Sequence, residues 1–299
     1  MNMTTIKMNT VQIEQLKNFY QDYLKPTCPP YSLFSAVKDG TTITAYESGK
    51  VLFQGSNAQA EAQQWGTFDI NEKKQDNNLP PNFQTWSVIG SDETGTGSYF
   101  GSVVVCATYV KKEQLASLKQ LGVQDSKNLS DSRIAVLATQ LKEIVPYSLL
   151  VVEPPKYNDI QPTMSQGKMK AILHNYALEK LLKKISPEVP DGLLIDQFEL
   201  PQTYFSHIKD EPVQIKKDVY FATKGESHHL AVACASIIAR YEFIENLKKL
   251  SKQAGINLPS GAGHSVDVVA SQLLKKDKNA LSYYAKLHFA NTEKAKKLK

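Results

Sequence analysis

Between Trp86 and Val105 the chain runs from apolar residues (Trp86, Val88, Ile89) through two adjacent carboxylates, Asp92 and Glu93. It then crosses a glycine-rich stretch and re-enters an apolar run at Val103–Val105. The middle, Gly90–Gly101, reads G-S-D-E-T-G-T-G-S-Y-F-G. Strand-forming residues on either side predict two strands with a glycine-rich connection. Adjacent side chains on a regular strand point to opposite faces. The two carboxylates are therefore expected to share one site only where the strand stops, with the glycines stopping it. A hard divalent cation takes oxygen ligands, commonly few carboxylates plus substrate phosphate. Glycine backbone beside them lets a sugar-phosphate come close. The combination points to a metal-dependent phosphodiester site, although Asp-Glu ahead of Gly is also an ordinary hairpin turn. A dinucleotide fingerprint is excluded: Gly95-x-Gly97-x-x-x-Gly101 is one residue too long, and strand-like residues follow where a helix should begin.

The length of 299 residues allows two domains, or one large domain with an appendage. With 41% hydrophobic and 22% charged residues, the chain has the composition of a soluble globular protein. No apolar stretch approaches the ~20 residues that cross a bilayer, so no membrane association is expected. Met1–Thr5 shows no basic segment leading into an apolar core, so no secretory signal is expected. Cys28, Cys106 and Cys234 are widely spaced and odd in number, which makes no zinc motif and suits a reducing cytoplasm. The net charge of +5 is mild. Lysine clusters at Lys216-Lys217, Lys248-Lys249, Lys275-Lys276-Lys278 and Lys294–Lys299 each read as a solvated face, and together they lean towards a polyanion.

Near-helical spacing of Val11, Leu16, Phe19, Tyr20 and Leu24 predicts a helix over 10–24, ending before Pro26. Strands are predicted at Tyr31–Val37, Thr42–Glu47 and Val51–Gln54, with turns at Asp39-Gly40 and Ser48-Gly49, and a helix at Asn57–Trp65. The unit is thus expected to be helix, three-stranded meander, helix, spanning 1–70. A polar stretch with Pro80-Pro81 marks a linker over 71–84. Beyond it, over 85–299, strands are predicted at Trp86–Gly90, Ser102–Val110, Tyr147–Glu153 and Leu193–Ile195. Helices are predicted at Asp131–Ile144, Lys168–Lys184 and roughly His228–Lys252, with two shorter ones behind. Strands followed by strands alternating with helices argue an α/β layer on a mixed sheet.

Three more features bear on chemistry. Asp125-Ser126-Lys127 lies in a polar loop between helices, Asp196 ends the buried run in L-L-I-D-Q-F, and Glu226 sits in K-G-E-S-H-H ahead of A-V-A-C-A-S-I-I-A-R. Taken singly, Asp196 reads equally as a helix cap and Glu226 as a surface residue near a helix start. Together, in this order and from about Trp86 onward, the four segments resemble the signatures of the type 2 ribonucleases H, specifically the ribonuclease HIII branch. The N-terminal unit is similar to the TATA-binding-protein-like substrate-binding domain of that branch.

The resemblance implies a ribonuclease H-like catalytic domain and an endoribonuclease that hydrolyses the RNA strand of RNA/DNA hybrids. It implies that Asp92, Glu93, Asp196 and Glu226 hold two Mg2+ or Mn2+ ions, with Asp92 bridging them. It further implies that Gly95, Thr96 and Gly97 approach the ribose 2′-OH and that Lys127, with Ser126 beside it, binds phosphate. Ser98 and Ser102 depart from the pattern, standing where family members often carry Asp and Pro. In the stretch Gly261–Asp267, His264 stands near the place of a tyrosine that ribonuclease HII enzymes use at a single ribonucleotide. The alternatives are a ribonuclease HII-like enzyme incising single ribonucleotides in duplex DNA, or a non-catalytic hybrid-binding protein. A cytoplasmic monomer is expected.

Overall fold

The structure, a computed structural model, describes residues 3–29, 31–65 and 79–298. It falls into two units, Met1–Asp76 and Asn77–Lys299. Most of the expected linker lies outside the described residues. At its end, Phe83 opens a short 3-10 turn and is 2% exposed, packed into the core of the second unit.

The first unit is a four-stranded antiparallel sheet, not the expected three-stranded meander. Its order is β1-β4-β3-β2, built from β1 (Met3–Lys7), β2 (Ser32–Lys38), β3 (Thr41–Tyr46) and β4 (Lys50–Gly55). The added strand β1 pairs with β4, from Met3 opposite Gln54 to Lys7 opposite Lys50. Helices α1 (Thr10–Phe19) and α2 (Ala58–Gln63) cover one face, where Ile13, Leu16 and Tyr20 pack with Phe34, Ile43, Val51 and Phe53. Asn9 and Gln12 cap α1 reciprocally. The helix stops at Phe19, short of the expected residue 24. Gln21–Tyr23 tightens into a 3-10 turn and Leu24 bridges to Ala36, while Pro26 disfavours helical backbone at Lys25 before it.

The second unit is a five-stranded mixed sheet of order β7-β6-β5-β8-β9. Its strands are β5 (Val88–Thr94), β6 (Val103–Val110), β7 (Tyr147–Val152), β8 (Gly192–Asp196) and β9 (Val219–Ala222). The first three are antiparallel, and β8 and β9 run parallel to β5. The helices are α3 (Leu115–Leu121), α4 (Asp131–Ile144), α5 (Pro154–Ile160), α6 (Gln166–Ile185), α7 (Pro201–His207), α8 (Leu230–Ala254), α9 (His264–Lys276), α10 (Leu281–Tyr284) and α11 (Asn291–Lys297).

Alternation along the strands separates two cores. Val88, Val104, Cys106 and Leu194 face α8, whereas Ile89, Val105, Leu193 and Ile195 face α6 and α7. Fully burying an Ile or Leu contributes ~1.5–3 kcal/mol, so each core fixes the register of its strands. The long helix α8 lies very close to the sheet. A Cβ on Gly90 would stand 2.3 Å from the Val232 nitrogen, so glycine at this position is what allows the approach.

Candidate active site

The expectation that the first strand stops at its carboxylates is overturned. β5 continues to Thr94, with Asp92 opposite Cys106 and Glu93 opposite Val105 in the ladder with β6. Pairing with β6, itself wholly buried, keeps the strand extended past Gly90. Asp92 therefore faces α8 and Glu93 faces α6, and the two meet only through the end of the sheet.

Asp92 is 9% exposed. One of its oxygens, Oδ1, accepts the Glu93 N–H at 2.7 Å. Burial raises its carboxyl well above the ordinary range, and the charges of Glu93 and Asp196 push it further. Glu93 has the opposite environment. Its Oε1 accepts from Lys170 Nζ at 3.1 Å and its Oε2 lies 3.0 Å from His174 Nε2. Burial alone would raise it, but His174 and Lys170 outweigh burial and hold it below the usual value. The His174 ring is fully buried, bonded through Nδ1 to Ser91 Oγ at 2.8 Å and stacked on Phe198.

Asp196 ends β8 on the α8 side, its Oδ1 accepting the Gly225 N–H at 2.8 Å. Glu226 lies in the 3-10 turn Gly225–Ser227 that leads into α8. Burial raises both carboxyls, and Asp196 adds to the rise at Glu226, while Lys127 opposes it at both. The structure thus brings Asp92, Glu93, Asp196 and Glu226 into one linked electrostatic set. Among the described residues, however, no group of three or more His, Cys, Asp or Glu side chains is arranged to hold a metal ion. Glu93 is turned to Lys170 and His174 instead.

Asp125 caps the turn Ser126–Asn128 by accepting the Lys127 N–H at 2.9 Å. Lys127 is exposed, whereas Ser126 is 4% exposed and its hydroxyl is bonded inward to Ser236 Oγ at 2.8 Å. In the glycine loop, Gly95 has φ +93° and a Cβ there would lie 2.2 Å from the Ser102 carbonyl oxygen, so only glycine fits. Gly97 has open space around it. The Thr96 carbonyl accepts from Gln166 Nε2 at 3.0 Å. Ser98 Oγ donates to the Phe100 carbonyl and accepts the Gly261 N–H, and Ser102 Oγ donates to Asn246. Both departures from the family pattern are thus inward ties.

The far end of the loop is held by Lys286, which is fully buried and donates from Nζ to the Gly101 carbonyl. Burial lowers its ammonium to about 7.

His229 caps α8, accepting the Ala231 N–H at Nδ1 and donating from Nε2 to the Trp86 carbonyl. Burial lowers it to about 4, so it is a neutral cap. His264 opens α9 with an 80% exposed side chain, 3.9 Å from Asp267.

Sequence reasoning missed Lys170, His174, Ser236 and Arg240. The signal available was spacing: each pair stands four residues apart, one turn along a helix, on a helix whose other inward positions are mostly apolar.

A mixed sheet flanked by helices, with carboxylates gathered at the ends of its two central strands, defines a ribonuclease H-like hydrolase. The family described as Ribonuclease HII matches residues 89–292, and a domain of unknown function matches 4–78. The chain is 49% identical to Ribonuclease HIII of Enterococcus faecalis over 298 residues, 98% of either chain. It is 48% identical to Ribonuclease HIII of Bacillus mycoides, over 99% of this chain and 98% of the other. Among solved structures, Bst-RNase HIII in complex with Mn2+ superposes with a TM-score of 0.73 at 40% identity, covering 99% of both chains. Aquifex aeolicus RNase H3 gives 0.56 at 25% identity, covering 95% of this chain and 99% of that one.

The chain belongs to the ribonuclease HIII family. Its activity is that of the family, endonucleolytic hydrolysis of the RNA strand of RNA/DNA hybrids.

Proposed function

We propose that Asp92, Glu93, Asp196 and Glu226 hold two divalent ions, Mg2+ or Mn2+, against the scissile phosphate. The observation that carries this reading is the placement of three carboxylates: Asp92 and Asp196 stand near the ends of the neighbouring parallel strands β5 and β8, and Glu226 in the turn that leads into α8. Burial first and neighbouring carboxylates next raise all three above their ordinary range, in keeping with that placement. Such a cluster is short of positive charge, and its donors are all oxygen, the chemistry a hard cation takes. The Mn2+ in the relative's structure agrees with that fit. When bound, two ions activate water and stabilise the leaving 3′ oxygen of an in-line displacement.

The chain's own groups do the rest. Lys127, exposed on its capped turn, contacts a phosphate of the RNA strand. Gly95, Thr96 and Gly97 bring backbone to the ribose 2′-OH, the contact that distinguishes RNA from DNA. Ser126 serves this site from inside, through Ser236.

The first unit, residues 1–70, acts as a TATA-binding-protein-like substrate-binding domain joined by the 71–84 linker. Its sheet carries exposed Thr5, Lys7, Lys50 and Gln54 on the face away from its core, where Lys7 and Lys50 are ladder partners suited to phosphate. Deleting residues 1–78 should leave a folded nuclease with weakened hybrid affinity and near-normal turnover, measured by anisotropy and cleavage. A truncated protein that binds hybrid like the full chain would remove the role. The protein works as a cytoplasmic monomer.

The substrate is a run of ribonucleotides and not a lone one. A stacked aromatic contributes ~1–3 kcal/mol per base, and His264 offers a smaller, polar ring at that place. The test is parallel cleavage of a hybrid and of duplex DNA with one embedded ribonucleotide, with Mg2+ and then with chelator. Equal rates would move the enzyme to the single-ribonucleotide reading. Cleavage surviving chelation would end the metal assignment.

A further inference from the structure

One motif has no task in the chemistry above: Ala235–Arg240, A-S-I-I-A-R, at the heart of α8. Its two polar residues, Ser236 and Arg240, are one helical turn apart and so share a face. Both reach the same residue of another element. Ser236 Oγ lies 2.8 Å from Ser126 Oγ, and Arg240 Nη1 donates to the Ser126 carbonyl. The second arm of Arg240, Nη2, holds Asp131 Oδ1 at 2.7 Å, at the first turn of α4. The Asp125–Asn128 turn is thereby gripped by hydroxyl, by carbonyl, and through the helix that follows it.

We infer that Ser236 and Arg240 are positioning residues, a bracket on α8 that holds the Lys127 turn against that helix. This rests on the roles given above to Asp92 and Lys127. The hydrogen bond shared by the Ser236 and Ser126 hydroxyls is the first fixed point. Arg240 supplies the second fixed point. Its planar fork bridges a carbonyl and a carboxylate in one geometry, which a lysine point charge cannot copy. Lys127 follows immediately after the gripped residue, and its ammonium is the cation that Asp196 and Glu226 both sense. One helix face thus sets the turn that carries the group meeting phosphate.

The test is a pair of double-mutant cycles on the full chain, reading kcat and KM for a hybrid, with thermal unfolding to confirm folding. Arg240→Met should raise KM about tenfold with kcat within about twofold, and should add nothing further in a Lys127→Met background. Arg240→Lys, which keeps one donor, should fall between Arg240→Met and wild type. Ser236→Ala should raise KM about threefold with kcat within about twofold, because the turn loses one of its side-chain ties. Ser126→Ala should cost about the same and should be silent in the Ser236→Ala background, since either change removes the same hydrogen bond.

Penalties of Arg240→Met and Lys127→Met that add in full would overturn the bracket, as would penalties of Ser126→Ala and Ser236→Ala that add in full. A destabilised Arg240→Met leaves the decision to Arg240→Lys and the serine cycle. If Lys127→Met leaves KM unchanged, or Asp92→Asn still cleaves, the site assignment itself fails and takes the bracket with it. Normal defects in those two controls, with additive cycles, sink the bracket alone.

Discussion

On one face of β5, Asp92 meets a backbone N–H and the charges of two other carboxylates. On the other face, one residue later, Glu93 lies between Lys170 and His174. The same strand delivers two chemically similar groups to opposite environments, and their acidities move in opposite directions. The lesson is that the α8 face accumulates uncompensated negative charge while the α6 face neutralises it. An oxygen-rich cluster in need of a cation is built on one side, and a rigid ion-paired wall on the other.

The largest effect expected from breaking this arrangement is on chemistry. Asp92→Asn should reduce hybrid cleavage at least about a thousandfold, because the carboxylate at the centre of the set loses its charge. Hybrid binding, followed by anisotropy, should be kept or tightened as phosphate repulsion falls. Near-normal turnover by a folded variant would end the account of the α8 face.

Next in size is His174→Ala. The ring is fully buried, and its loss strands both Ser91 and Glu93. Leaving a buried hydrogen-bonding group unsatisfied costs about 1–3 kcal/mol, to be read from urea denaturation. A loss under about 1 kcal/mol would show that the α6 wall does not depend on the pair.

Lys286 extends the comparison to a buried cation bonded to a backbone carbonyl. Its folded value, about 7, lies below the ordinary 10.5. Between those values the unfolded chain holds a proton that the folded chain does not. Stability from this group should therefore rise with pH across that window, by up to about 1.4 kcal/mol per unit, and be lost as pH falls towards 7. Lys286→Met should flatten the slope of the urea midpoint between pH 7.5 and 9. A slope unchanged by the substitution would show that the lysine stays charged.

The smallest effect is the sharpest test of sign. In chelator near neutral pH, Asp92→Asn should raise stability by roughly 1 kcal/mol, since it removes a carboxyl whose ionisation burial and its neighbours oppose. Glu93→Gln should lower it by a similar roughly 1 kcal/mol, since it leaves Lys170 without its partner. Melting shifts of the same sign would dissolve the contrast between the faces.

Much of the fold was readable from local pattern. The apolar run Leu193–Ile195, the Ser130-capped helix α4 and the glycine-broken passage at 95–101 each carry their own instruction. Strand β1 escaped because Met3–Lys7 has few apolar residues and exists by pairing with β4, some fifty residues away. β9 escaped for a similar reason, as four residues next to Lys216-Lys217 become a strand only against β8. In the site, the four carboxylates and the Asp125–Lys127 turn stood out as residues. Their surroundings did not, because the partners of Glu93 lie more than seventy positions away on α6.

The sequence by itself determined where the main apolar runs lie, where glycine is obligatory and which acidic residues are candidates, since these follow from steric and periodic rules acting over a few residues. Only the tertiary structure decided that β5 runs on through its carboxylates, which turns Asp92 to α8 and Glu93 to α6. That choice comes from the ladder with β6 and the two cores packed on either face, interactions between distant segments that no local pattern encodes.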